Sequence, residues 1–390
     1  MLIKNVHIFN GTETLDGLFD IHLKENLIDR ILPHTDAASD EIEILDGNEK
    51  WIMPGLIDLH VHLTWDGLVD PAMDIWHRSK EENMMETVAN SLKYLKHGIT
   101  SIRDLGSPDD DAIHVGRAIQ RGWFPGPRIF AAGMSIIMTG GHDPFHGIPV
   151  DGPWEALKAV RTQVAKGCSV IKISATGGVY GRIEGEGVDD TELRDEELEM
   201  IMNEAHRRKV PVTAHAIGEQ GVRSCLNAGI DCIEHGQFIQ PDMAKQMAAQ
   251  GTAYIPTLFV YKHHADNPKT PEYARTKSIA VLEHHQNALK YARENGVLIG
   301  TGSDAGSPNT PHPALLDEIF ALSGAGMTNQ EVLKAATSNA AKILWQEGKV
   351  GIVQEGAFAD LLLLDKNPCE NLETLKQIHT VIANGRKIIN

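Results

Sequence analysis

Residues 56–63 read LIDLHVHL, an apolar β-type run with two histidines set two positions apart. On a strand, side chains at i and i+2 leave the same face, so His60 and His62 project together. Runs of the same kind recur at 99–106 (ITSIRDLG), 128–136 (RIFAAGMSI), 169–176 (SVIKISAT), 210–216 (VPVTAHA), 230–236 (IDCIEHG), 252–258 (TAYIPTL) and 297–305 (VLIGTGSDA). Amphipathic helical stretches separate most of them, among them 81–98, 153–167, 194–210 and 271–295. Such alternation implies an α/β protein with a parallel sheet, and eight units imply a closed (β/α)8 TIM-type barrel over residues 56–349. An open doubly wound sheet would carry a Gly-rich phosphate turn after its first strand, and residue 63 leads into TWDG instead.

The two ends differ from this middle. Residues 1–55 and 350–390 hold short β-type runs (LIKNVHIF, FDIHLKE, VGIVQEG, TVIANGRKII) with little helical periodicity. They read as one small β-sandwich domain built from both termini.

The chain has 390 residues, 42% of them hydrophobic, which is ample for a sizeable core. A formal net charge of −17 disfavours a nucleic-acid backbone or an anionic membrane as partner. The four cysteines, Cys168, Cys225, Cys232 and Cys369, lie far apart with no Cys-x-x-Cys pair, so a reducing compartment is expected. The first residues, MLIKNVHIFNG, read as strand and turn rather than as a signal segment, and no apolar run approaches the roughly 20 residues of a membrane helix. The expectation is a soluble cytoplasmic protein acting on small molecules.

Most of the 19 histidines suit ordinary positions. His7, His22, His34, His97 and His114 stand alone. The pairs His263/His264 and His284/His285 are adjacent and so do not share a helix face, and the second pair reads as a solvated face. His60 and His62 differ because other strand ends match them. Lys172, His215, His235 and Asp304 each fall near the end of a candidate strand, the barrel face where active sites form. Charged Lys and Asp are rarely buried without a partner. An ammonium cannot bind a cation, but a lysine with a depressed pKa could react with carbon dioxide to give a carbamate able to bridge two metals. A salt-bridge partner or a Schiff-base nucleophile are the other readings of Lys172.

PGLIDLHVHL, VIKISATGGV, TAHA, IEHG and TGSDAG, followed by MTNQEVLKAATSNAAKIL and GAFADLLLLDKNP, make the chain resemble the amidohydrolase superfamily. The likeness is to its binuclear subtype with a carboxylated lysine, similar to the prolidase-like subgroup of Xaa-Pro dipeptidases and imidazolonepropionase relatives. It implies two divalent metals, one held by His60, His62 and Asp304, the other by His215 and His235, with N-carboxylated Lys172 bridging them. His-rich ligation favours zinc.

A water shared by two metals is acidified, which suits hydrolysis of an amide or peptide bond by a metal-bridging hydroxide, with Asp304 as general base and then acid. The substrate would be a dipeptide such as Xaa-Pro or an N-acyl amino acid. The resemblance gives His142 and Tyr261 the role of hydrogen bonding the substrate carbonyl, and it implies a homo-oligomer. Arg182 could pair a substrate carboxylate, although the sequence around it departs from the subgroup's pattern. His312 could line the mouth. Competing readings are a mononuclear deaminase or imidazolone-type hydrolase, against which Lys172 argues, and a catalytically inactive structural relative.

Overall fold

A computed structural model describes residues 1–36, 43–180 and 185–388. The chain divides into two compact units, one of Met1–Asp58, Leu92–Ser101 and Ile319–Asn390, the other of Leu59–Ser91 and Ile102–Glu318.

In the first unit an eight-stranded sheet runs in the order Arg386–Ile388, Ile378–Ala383, Leu361–Leu364, Trp51–Pro54, Leu2–Phe9, Thr14–Lys24 and Leu27–Pro33, with Ile44–Asp46 also paired to Leu2–Phe9. The terminal segments are therefore partners in one sheet. Leu361–Leu364 is a continuous apolar run buried at every residue, and it pairs antiparallel with Trp51–Pro54. Ile3, Ile8, Ile21, Ile52, Leu361 and Leu363 meet in the core of this unit. The helix Asn329–Ala335 starts on a capping box, in which Thr328 accepts from the Glu331 N–H and Glu331 reaches back to the Thr328 N–H.

The second unit contains a six-stranded parallel sheet, ordered Gly147–Val150, Ser135–Met138, Ile171–Ser174, Val212–Ala216, Cys232–His235 and Ala253–Ile255. Residues 59–61, 102–104 and 128–131 of this unit belong to a three-stranded sheet ordered Leu56–Val61, Ile99–Asp104 and Arg128–Ala131. Every residue of Ile171–Ser174, Val212–Ala216 and Cys232–His235 is buried, as parallel strands covered on both faces require. Helices follow strands, and several carry their boundaries in the sequence. Pro153–Lys166 and Pro241–Gln250 begin on proline and stop at Gly167 and Gly251, whose φ values of 91° and 78° favour glycine.

Backbone hydrogen bonds extend the sheets beyond their named strands. Ser169 N–H donates to Ala131 O at 2.9 Å. At the other edge, Tyr254 bonds Leu298 and Gly300, while Leu59 N–H donates to Thr301 O and Asp304 N–H to His60 O. The run 297–305 is thus not one regular strand. It pairs singly, Ile299 with Tyr254 and Ala305 with Val61, and turns through a positive φ of 54° at Asp304.

The strand-like run 252–258 is a strand only over Ala253–Ile255, and one histidine departs from its expected exposure. Residues 258–266 form a helix, Leu258–Asp266, so Tyr261 and His264 lie three apart on one face. His285 is fully buried rather than solvated, with Nε2 2.7 Å from Pro256 O. Among the described residues, no helix is long and apolar enough to cross a membrane.

Candidate functional site

The strand ends of the second unit converge on one chamber. His60, His62, Lys172, His215, His235 and Asp304 all line it, together with His142 and Tyr261. Asp304 Oδ1 lies 3.5 Å from His60 Nε2 and 3.4 Å from His62 Nε2. The imidazole rings of His60 and His62 are 5.2 Å apart, those of His60 and His235 4.9 Å, and those of His215 and His235 4.7 Å. One donor atom each from His60, His235 and Asp304 falls within 4.8 Å of the others. Gly302 allows the backbone before Asp304 to lie against His60, since a Cβ there would sit 2.8 Å from His60 Cβ.

Outer partners decide which ring nitrogen faces inward. His60 Nδ1–H donates to Glu234 Oε2 at 2.9 Å, and Glu234 is held by Arg103 at 2.5 Å and by the Thr213 hydroxyl. His62 Nδ1–H donates to Gly106 O at 3.3 Å, and His215 Nε2–H to Gly177 O at 3.2 Å. The Thr257 hydroxyl gives its proton to Pro256 O, so its oxygen accepts His235 Nδ1–H at 2.8 Å. Four nitrogens are left for the chamber: Nε2 of His60, His62 and His235, and Nδ1 of His215. Ligating histidines are ordinarily braced in this way from behind.

The electrostatics agree with a donor cluster. Burial lowers His60 to about 4, helped by Lys172, and carries His215 and His235 well below the usual imidazole value. These rings are neutral near pH 7, as a metal ligand must be. His62 moves the other way, because its contact with Asp304 outweighs burial. Burial also holds Lys172 below the ordinary lysine range, against the pull of Glu234, Asp143 and Asp304. For Asp304, burial opposes ionisation, but His60, His62 and Lys172 together keep it well below the usual carboxylate range. Four imidazoles, a carboxylate and a buried amine make a chemically suitable set for divalent metals.

His142 presents two nitrogens to two carboxylates, Nδ1 at 2.6 Å from Glu186 Oε1 and Nε2 at 3.2 Å from Asp143 Oδ2. Despite burial, Asp143 and Glu186 raise it to about 10. Its ring stacks on His215 at 4.1 Å. Tyr261 packs against His235 at 5.5 Å, and burial keeps it a phenol. His312 is buried and bonds backbone, its Nε2 lying 3.2 Å from His62 O and 3.0 Å from Trp65 O, so it braces the chain after the first strand. Arg182 lies outside the described residues.

Sequence reasoning missed several neighbours. Trp65, Asp143, Tyr180 and His264 also line the chamber. His264 lies one helical turn from Tyr261 on the helix Leu258–Asp266. Glu234 and Arg103 had a visible signal, since each is a charge set inside an apolar strand run.

Comparison with known proteins identifies the family of the chain. The model of the Amidohydrolase family matches residues 51–388. The crystal structure of an Xaa-Pro dipeptidase with methionine bound in its active site has a TM-score of 0.91 and 29% identity, covering 100% of this chain and 99% of that one. Ochratoxinase of Aspergillus niger is 27% identical over 364 residues, 84% of this chain and 72% of the relative. Imidazolonepropionase of Brevibacillus brevis is 24% identical over 401 residues, 95% of this chain and 89% of the relative. The chain belongs to the amidohydrolase family and is a hydrolase acting on carbon–nitrogen bonds.

Proposed function

We propose that the chain is a binuclear metal-dependent hydrolase that cleaves the amide bond of a dipeptide such as Xaa-Pro or of an N-acyl amino acid. The observation that carries this reading is the set of four inward-facing imidazole nitrogens gathered with Lys172 and Asp304 in one buried chamber. The likeness to an Xaa-Pro dipeptidase and to ochratoxinase supports the substrate class. His60, His62 and Asp304 would hold one metal and His215 and His235 the other, with Lys172, as its carbamate, shared between them. Zinc suits imidazole ligands better than magnesium does. The supporting scaffold is a closed (β/α)8 barrel, consistent with the hydrogen bonds that 298–305 makes to Tyr254 on one side and to Leu59 and His60 on the other. A β-sandwich of the two termini accompanies it.

When bound, the metals supply an acidified water as nucleophile and a Lewis acid for the scissile carbonyl. The chain's own groups do the rest. Asp304, a buried carboxylate 3.5 and 3.4 Å from His60 and His62, can take the proton of the attacking water and return it to the leaving amine. His142 Nε2–H, which Asp143 Oδ2 accepts at 3.2 Å and a substrate oxygen could share, and the Tyr261 hydroxyl line the chamber as donors for the carbonyl oxygen as it gains negative charge. Trp65, Val179 and Tyr180 give the chamber its aromatic and aliphatic walls.

A hydrolysis screen over Xaa-Pro dipeptides, N-acyl amino acids and cyclic amides tests the reading. Release of amine from one of the first two classes is expected. Turnover confined to cyclic amides, or none of an amide at all, would overturn it.

A further inference from the structure

Glu186 stands apart from the strand-end groups in sequence and has no part in the reaction as drawn. Its side chain is nonetheless fully buried. Oε1 accepts two hydrogen bonds, from His142 Nδ1–H at 2.6 Å and from the Gly178 N–H at 2.7 Å. Oε2 lies 4.0 Å from Lys277 Nζ, which itself donates to Gly178 O at 2.9 Å. Gly178 is pressed against the same imidazole, for a Cβ there would come within 2.1 Å of His142 Cε1.

An ionised carboxylate is costly to bury unless its oxygens are satisfied. Here both hydrogen bonds to Oε1 come from the seat of one ring, the His142 Nδ1–H and the Gly178 N–H that lies against it. The stack on His215 at 4.1 Å fixes the plane of that ring. Rotation within the plane, and the choice of which nitrogen faces the chamber, remain open. Glu186 closes both. It occupies Nδ1 and leaves Nε2 for the side where Asp143 and the chamber lie.

We propose that Glu186 is a positioning residue that seats His142 with Nδ1–H toward its own carboxylate, aiming Nε2–H at the carbonyl oxygen of the bound amide. The inference rests on the reading of His142 as a donor to that oxygen. Glu186 itself loses and gains no proton and touches no substrate. It works by holding a donor ready before charge develops, so that no reorganisation is needed at the moment of reaction.

The experiment combines Glu186→Ala and Glu186→Gln with His142→Ala, measured on the dipeptide or N-acyl substrate found by the screen, together with nuclear magnetic resonance of 15N-histidine-labelled protein. Glu186→Ala is expected to lower kcat/KM at least about tenfold, more through kcat than KM, and Glu186→Gln less, because the amide keeps an acceptor. In the His142→Ala background the same substitution should cost nothing further, since residues acting through one group are not additive. A downfield Nδ1 proton of His142 should be present in the wild type and absent in Glu186→Ala. Equal losses in both backgrounds, full activity, or an unchanged Nδ1 proton would each overturn the inference. If Glu186→Ala fails to fold, Glu186→Gln carries the same cycle. A protein that cleaves no amide sinks the proposed reaction, whereas the Nδ1 signal still decides whether Glu186 seats His142.

Discussion

Lys172 is an amine held below its ordinary ionisation range in a chamber lined by six of the histidines. Lys172→Ala is expected to lose most activity and much of its bound metal, with partial recovery on adding a short carboxylic acid that stands in for the proposed carbamate. Full activity and metal in that variant would remove the bridging role. Behind the ligands, Glu234→Ala should cost about 10–100-fold in metal affinity, because His60 loses the acceptor that orients it. The same change strands Arg103, which is fully buried, and should destabilise the fold by about 3–5 kcal/mol in denaturant titration.

His142 gives a signed pH dependence. Its folded-state value is raised from 6.5 to about 10, so the native state holds a proton that the unfolded chain releases. That stability is fully present below pH 6.5 and is lost as pH rises from there towards 10. Chemical denaturation of His142→Asn across this window should show a shallower decline than the wild type. An equal or steeper decline would contradict the assignment. At this scale the sequence was legible where chemistry is unusual for its place, as with His60 and His62 two apart on an apolar strand. It was silent on Glu186, which the fold brings to His142 from 44 residues further along the chain.

At the scale of elements, the strands were readable because parallel strands buried on both faces must be nearly continuous apolar runs, as Ile171–Ser174 and Cys232–His235 are. Helix limits such as Gly167 and Gly251 were readable for a backbone reason. The run 297–305 was less so. Its composition is that of a strand, but Asp304 leaves the extended region and Gly302 gives way to His60, and neither departure has a periodicity to betray it. The helix Leu258–Asp266 was hidden for a similar reason, since Pro256 and Thr257 suggest a loop and the helix is only nine residues long. Gly302→Ala tests the close approach. Its Cβ would fall 2.5 Å from Ile255 Cγ2 and 2.8 Å from His60 Cβ, so one side must shift. The expected result is a loss of metal affinity larger than any loss of thermal stability, read by titration and by melting on the same sample. A variant that binds metal like the wild type would show that the approach does not set the site.

For the whole molecule, the hydrolase class follows from family membership, whereas the substrate depends on loop residues whose chemistry no periodicity encodes. On the proposed metal-dependent reading, the cluster of imidazoles ties folding to metal, because ligands that bind only in the native state stabilise it by mass action. Chelated protein should therefore melt at a lower temperature than metal-loaded protein and should lose hydrolysis, with both restored by zinc. The most direct test of the two-metal centre is elemental analysis of purified wild-type protein at neutral pH. About two divalent metals per chain are expected. One metal per chain would leave Lys172 without its bridging role, and none would contradict the metal-dependent mechanism altogether.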